Sequence, residues 1–330
     1  MRIVLSGRSD DELRFAAQLG VDGIVSGFPS AETPHGYYEY RRIVALKNRI
    51  EDYGLRLEGF ALLPWHLCYK WMLGLPGRDE QLEALRTSIR NMGAAGAEVL
   101  VFNMHALRYY RTTTAAPERA GATGTAFDYE RVKNAPLWAG GDGADTTLIP
   151  DDLKRPLSDD DMWANYTYFA NAVLPTAEEA GVKLALHPDD PQVPVIAGVA
   201  RIMREPDAFR KALAIRPSPA LGLKYCVGCM AQMGADQLKE IAYWGERGKI
   251  FLVDYRNIRG VTSKFQETFM DNGQEDMLAI MQAFWDAGFR GPIGPDHAMH
   301  LTGDTPDHRQ YWAYAIGYMK ALRQAVMRSS

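Results

Sequence analysis

Apolar residues in this chain come in short runs, and each run is followed by a longer stretch in which they recur at three- and four-residue spacing. The short runs predict strands at 2–6 (RIVLS), 22–26 (DGIVS), 56–62 (RLEGFAL), 98–104 (EVLVFNM), 183–187 (KLALH), 220–226 (ALGLKYC), 250–255 (IFLVDY) and 292–296 (PIGPD). The longer stretches, among them YYEYRRIVALKNRIEDYG, EQLEALRTSIRNMGAAG and MLAIMQAFWDAGF, read as helices; several close on Gly, and the last runs over about 307–328. Eight strand-then-helix units predict an α/β fold, a (β/α)₈ TIM barrel spanning 1–330 as a single domain, with its chemistry at the C-terminal strand ends. An open doubly wound sheet is disfavoured because the first strand runs into SGRSDDE rather than a Gly-x-Gly-x-x-Gly turn. The longest interruption, 105–158, follows the fourth strand and is rich in Gly, Thr, Ala and Asp, so a substrate-covering lid is expected there.

Composition narrows the partners. A chain of 330 residues that is 47% hydrophobic can bury a large core. Thirty-seven Lys plus Arg stand against 41 Asp plus Glu, for a net charge of -4, with no basic block, so nucleic acid is not expected as a partner. The N-terminus MRIVLSGRSDDEL lacks a secretory signal and no run reaches membrane-spanning length, which leaves no expected membrane association. Three cysteines, Cys68, Cys226 and Cys229, do not make a disulfide framework, and a cytoplasmic protein is expected.

On a barrel, the strand ends should carry the site, and they are polar. The fourth ends in Asn103, Met104 and His105, with Arg108 and Arg111 beyond; the fifth ends in His187, followed by Asp189 and Asp190. The sixth ends in Cys226, the seventh in Asp254 and Arg256, the eighth in Asp296 and His297. Taken singly, each has a bland reading: a hydrogen-bonded histidine, a small buried thiol, a helix-capping aspartate. Together, His187, Cys226, Asp254 and Asp296 are an imidazole, a thiol and two carboxylates from four consecutive strands, a ligand set for a divalent cation. The Cys226-x-x-Cys229 spacing has no second pair to complete a zinc site. Pro188 and Pro191 stiffen the exit from the fifth strand and hold the preceding histidine.

AEEAGVKLALHPDDP followed by VIAGVARIM resembles the central motif of the mannonate dehydratases, members of the xylose-isomerase-like barrel superfamily. LVFNMHALRYYRT, YCVG, IFLVDYRN, FQETFMDNGQEDM, GPDH and AIGYMKAL follow in the same order, from about 98 to the C-terminus. The resemblance implies a metal, Mn²⁺ first and Mg²⁺, Fe²⁺ or Zn²⁺ as alternatives, on His187, Cys226 and Asp296. It also implies a histidine on strand seven, where this chain has Asp254, itself a usable oxygen ligand. The family's catalytic tyrosine falls at Ala313, so Tyr311 or Tyr314 is expected to stand in, and Ala298 follows PDH where the family has Gly.

The implied activity is dehydration of a sugar acid, a mannonate-like aldonate, to a 2-keto-3-deoxy acid by a carbon–oxygen lyase. Asp296, His297 and Tyr314 are the expected catalytic groups. Asn103, His105, Arg111, Asp189, Asp190 and Arg256 are expected to meet substrate, with the arginines clamping its carboxylate. Two alternatives use the same frame: a metal-dependent sugar isomerase, epimerase or other carbohydrate lyase, and a non-catalytic carbohydrate binder with Trp65, Tyr109, Tyr110 and Trp138 in its pocket. A homo-oligomer is expected, with YWAYAIGYM as either an interface or a barrel-facing surface.

Overall fold

The computed structural model describes residues 1–28 and 33–328. Its parallel strands are β1 (Arg2–Ser6), β2 (Gly23–Ser26), β3 (Arg56–Phe60), β4 (Val99–Phe102), β5 (Lys183–Leu186), β6 (Leu221–Cys226), β7 (Ile250–Tyr255) and β8 (Pro292–Pro295). They close into a barrel in which each strand neighbours the next in the chain and β8 pairs with β1. β2, β4 and β7 are buried at every position, as strands covered on both faces must be, which is why they read as unbroken apolar runs.

The covering helices start and stop on local signals. Asp10–Leu19 opens on a capping box between Ser9 and Glu12 and ends at Gly20, whose φ of 66° is left-handed. Asp159–Ala180 repeats the device with Ser158 and Asp161 at one end and Gly181 at the other. In the last helix, Arg309–Arg328, the buried face is Tyr311, Ala315, Ile316 and Met319, so YWAYAIGYM turns this stripe inward. Among the described residues no helix is long and apolar enough to cross a membrane, and the three cysteines are free.

Register carries the polar strand ends to one place. Val101 pairs with Ala185, Cys226 with Asp254, and Asp254 with Gly294. Because side chains alternate with a period of two, Asn103, His187, Cys226, Asp254 and Asp296 share the parity of these aligned positions.

Above that end lies a second sheet. Strands Thr113–Pro117 and Thr123–Asp128, from the long insertion after β4, join Asn257–Val261 and Lys264–Thr268, from an excursion after β7, in one antiparallel four-stranded sheet. Phe127 and Phe265 are register partners across the seam. The segment FQETFMDNGQEDM thus opens in a strand, over residues 265–268, because its pairing partner lies over a hundred residues away and leaves no local periodicity.

Candidate active site

His187, immediately after β5, is the first donor at the barrel mouth. Its Nδ1 lies 2.7 Å from the Pro188 carbonyl, which also accepts from His105 Nε2. Donation from Nδ1 fixes the ring and leaves Nε2 facing inward, 3.3 Å from Asp254 Oδ2. Burial pulls this imidazole's pKa down, but Asp254 and Cys226 beside it reverse that and raise it to about 9.

The donor atoms of Cys226, Asp254 and Asp296 all lie within 4.8 Å of one another, and those of His187, Cys226 and Cys229 do likewise. Cys226 caps the short helix Val227–Gln232, accepting the Cys229 N–H at 3.4 Å. Burial raises its thiol pKa, yet Cys229, Arg256 and His187 outweigh burial and hold it well below the ordinary range, so sulfur carries thiolate character. The two donor groups share Cys226 and offer nitrogen, sulfur and oxygen donors that could hold a divalent ion.

One cation is already in place. Lys224, two residues before Cys226 on the same face of β6, sets Nζ 2.7 Å from Asp254 Oδ2. Burial lowers its pKa, but Asp254 and Asp296 reverse that and raise it.

Beside the donor cluster sits a dry network of arginines and carboxylates. Arg111, from the insertion, reaches both oxygens of Asp190 at 2.8 and 2.7 Å and Glu267 Oε1 at 2.8 Å. Arg256 reaches both oxygens of Glu267 at 3.0 Å, Asp190 at 3.2 Å and, through Nε, Asp296 Oδ2 at 2.9 Å. These side chains, Asp296 apart, are almost fully buried. The guanidinium of Arg256 passes so close to Gly228 that an added Cβ would lie 2.5 Å from Nη1, so only Gly fits that position. The two arginines reverse the effect of burial on Asp190 and hold it well below the usual carboxylate range.

His297 completes the site. Nδ1 is 2.8 Å from Glu267 Oε1, and Nε2 is 3.5 Å from Asp296 Oδ2. Its φ of 49° is left-handed, a strained state for a non-glycine residue that clusters at functional positions. Burial lowers the His297 pKa and the two carboxylates raise it by more, while burial raises that of Asp296.

The expected site residues divide accordingly. His187, Cys226, Asp254, Asp296 and His297 converge. Asn103 and His105 lie buried at the end of β4, with Asn103 Nδ2 and His105 Nδ1 lacking hydrogen-bond partners among the described residues. His105 stacks edge-on beside His187, with ring centroids 5.4 Å apart.

Several of the expected residues already have partners within the protein. Arg111 and Arg256 are tied to Asp190 and Glu267 rather than free to clamp a substrate, and Asp190 is the anchor of both. Asp189 has no exposure; its Oδ2 accepts the Met203 N–H at 2.7 Å and its Oδ1 lies 3.6 Å from Arg201, which makes it a brace for the following loop. Tyr314 donates to Asp271 at 2.6 Å, because its helical phase points it at the segment after the Lys264–Thr268 strand instead of at Asp296. Asp254 is shared with Lys224. Glu267 and Lys224 were missed: Lys224 was visible as a charge inside the apolar run LGLKYC, whereas Glu267 carried no local signal.

A closed parallel barrel with nitrogen, sulfur and oxygen donors at its C-terminal mouth defines a (β/α)₈ barrel with a candidate metal centre. A xylose isomerase domain protein from Planctomyces limnophilus aligns with a TM-score of 0.62 over 99% of this chain and 97% of its own, at 12% identity, a likeness of fold. The D-mannonate dehydratase (UxuA) family model matches residues 5–330. A mannonate dehydratase from Streptococcus suis is 33% identical over 330 residues, covering 94% of this chain and 89% of that protein. The crystal structure of mannonate dehydratase from Streptococcus suis serotype 2 superposes with a TM-score of 0.86 at 30% identity, over 100% of this chain and 95% of its own. The chain belongs to the mannonate dehydratase family and is a carbon–oxygen lyase of the hydro-lyase type.

Proposed function

We propose that this chain dehydrates a sugar acid, a mannonate-like aldonate, to a 2-keto-3-deoxy acid, using a divalent metal, Mn²⁺ first, held by His187, Cys226 and Asp296. The observation that supports it is a pair of donor groups that share Cys226, His187–Cys226–Cys229 and Cys226–Asp254–Asp296, beside the His297–Glu267 pair in a member of this family. When bound there, such an ion supplies positive charge against the charge that develops on the substrate carboxylate as the neighbouring C–H proton leaves.

The chain's own groups account for the proton movements. Asp296, at the barrel mouth 3.5 Å from His297, accepts the proton next to the carboxylate. His297, held protonated by Glu267 and Asp296, gives a proton to the departing hydroxyl of the adjoining carbon. Loss of that proton and hydroxyl as water leaves an enol, which ketonises to the 2-keto-3-deoxy product. Asn103 Nδ2 and His105 Nδ1 offer a donor and an acceptor to the substrate's hydroxyls. Asp190 and Glu267 hold the arginines, so that Arg256 steadies Asp296.

The four-stranded sheet, whose Glu267 lies 2.8 Å from His297, is read as the lid of this site. Incubating the protein with a panel of aldonates, with and without prior chelation, tests the reading. A 2-keto-3-deoxy acid that forms only after Mn²⁺ is restored is expected; product that survives complete chelation overturns the metal-dependent mechanism.

A further inference from the structure

Strand β7 sets Asp254 at the position where the family resemblance calls for an imidazole, and β6 sets a lysine against it. The two side chains meet in space: Lys224 Nζ lies 2.7 Å from Asp254 Oδ2, and both are about nine-tenths buried, at 13% and 9% exposure. Asp254 and Cys226 are register partners on adjacent strands, and Lys224 precedes Cys226 by two residues, so its side chain runs up the inner wall toward the cluster. A neutral ligand exchanged for an anion makes the cluster more negative; an ammonium in contact with that anion restores the balance.

A buried lysine could be a simple structural ion pair, indifferent to the centre. Its placement argues otherwise. Asp254, whose Oδ2 it contacts, belongs with Cys226 and Asp296 to a triad whose donor atoms are close enough to hold one ion, and Oδ2 is also the oxygen that faces His187 Nε2. A divalent ion and an ammonium cannot share that oxygen without facing each other at short range in a largely buried site, where charges are poorly screened.

We propose that Lys224 is a built-in counter-cation that takes Asp254 out of the metal's ligand set, leaving His187, Cys226 and Asp296 to hold the ion. This rests on the metal-centre reading above. It makes the lysine a positioning residue that sets how tightly the centre binds a divalent cation, a property separate from turnover.

The test is Mn²⁺ binding to the full chain, followed by calorimetry and by the loss of the free-ion electron paramagnetic resonance signal, in wild type, Lys224→Met, Asp254→Asn and the double variant, with His187→Ala added to each background. Lys224→Met is expected to tighten Mn²⁺ at least tenfold. Asp254→Asn alone is expected to change affinity less than threefold, but to cost at least tenfold once Lys224 is Met. Lys224→Gln repeats the measurement if the Met variant does not keep the wild-type circular dichroism spectrum. If Asp254→Asn alone weakens Mn²⁺ tenfold, or removal of Lys224 leaves affinity unchanged or lower, Asp254 is an ordinary ligand and the proposal falls while the metal centre stands. If no background binds Mn²⁺ and His187→Ala changes nothing, the metal-centre reading itself fails, and the proposal with it.

Discussion

Arg111 and Glu267, 156 residues apart, are joined by a buried ion pair of 2.8 Å that ties the insertion after β4 to the excursion after β7. Glu267 also accepts from Arg256 and lies against His297, so one carboxylate answers three cationic groups. Glu267→Ala leaves those groups buried without their partner and should cost about 3–5 kcal/mol of folding free energy. Guanidinium denaturation against wild type checks this; a change below about 1 kcal/mol would mean that water already screens the network.

The same network sets the acid limit. Burial pushes the Glu267 carboxyl up, but Arg256, His297 and Arg111 reverse that and lower its pKa from 4.5 to about 2. A group depressed on folding contributes stability that is full above its unfolded value and is lost as pH falls toward the folded one. Denaturation midpoints should therefore hold steady above about pH 5 and fall steeply between about pH 4.5 and 2. Arg256→Met should flatten this arm, and an unchanged profile in that variant would remove the arginine as its cause.

At the alkaline side the sign reverses. His187 in the metal-free protein has its pKa raised to about 9, so the stability it adds is full below its ordinary 6.5 and is lost as pH rises through 9. A ligand must shed its proton to bind metal, so Mn²⁺ affinity should rise with pH by up to about tenfold per unit between 7 and 9 and then level off. Calorimetry in buffers of different ionisation enthalpy reads the released proton. No proton release at pH 7.5 would show that His187 is already neutral.

Much of this was legible in the sequence, for a physical reason. Barrel strands buried on both faces must be short apolar runs, and β1 to β8 could be counted from that pattern alone. Polar residues ending such runs can survive only if paired or ligating, which singled out His187, Cys226, Asp254 and Asp296. What was not legible depends on angles and distant partners. The three-residue offset between Tyr311 and Tyr314 decides which one turns inward, and Glu267 acquires its role only when two excursions pair as a sheet. The partners of Arg111 and Arg256 were not visible because a sequence shows a charge but not the carboxylates that hold it.

Tyr314→Phe should leave kcat within about threefold of wild type, because its hydroxyl serves Asp271 and not the reacting groups; a general acid or base would contribute about 10²–10⁴-fold. Steady-state kinetics decide it, and a loss of a hundredfold or more would return Tyr314 to the catalytic set.

The central claim is that this barrel removes water from an aldonate with Asp296 and His297 as the proton-handling groups. The most direct measurement is proton NMR of D-mannonate incubated in D₂O with the Mn²⁺-loaded protein and with its Asp296→Asn variant. The account predicts that the signal of the proton beside the carboxylate disappears as a 2-keto-3-deoxy acid accumulates, and that the variant loses at least about a hundredfold in rate. Unchanged D-mannonate with the wild type, or exchange of that proton for deuterium with no water lost, would contradict it.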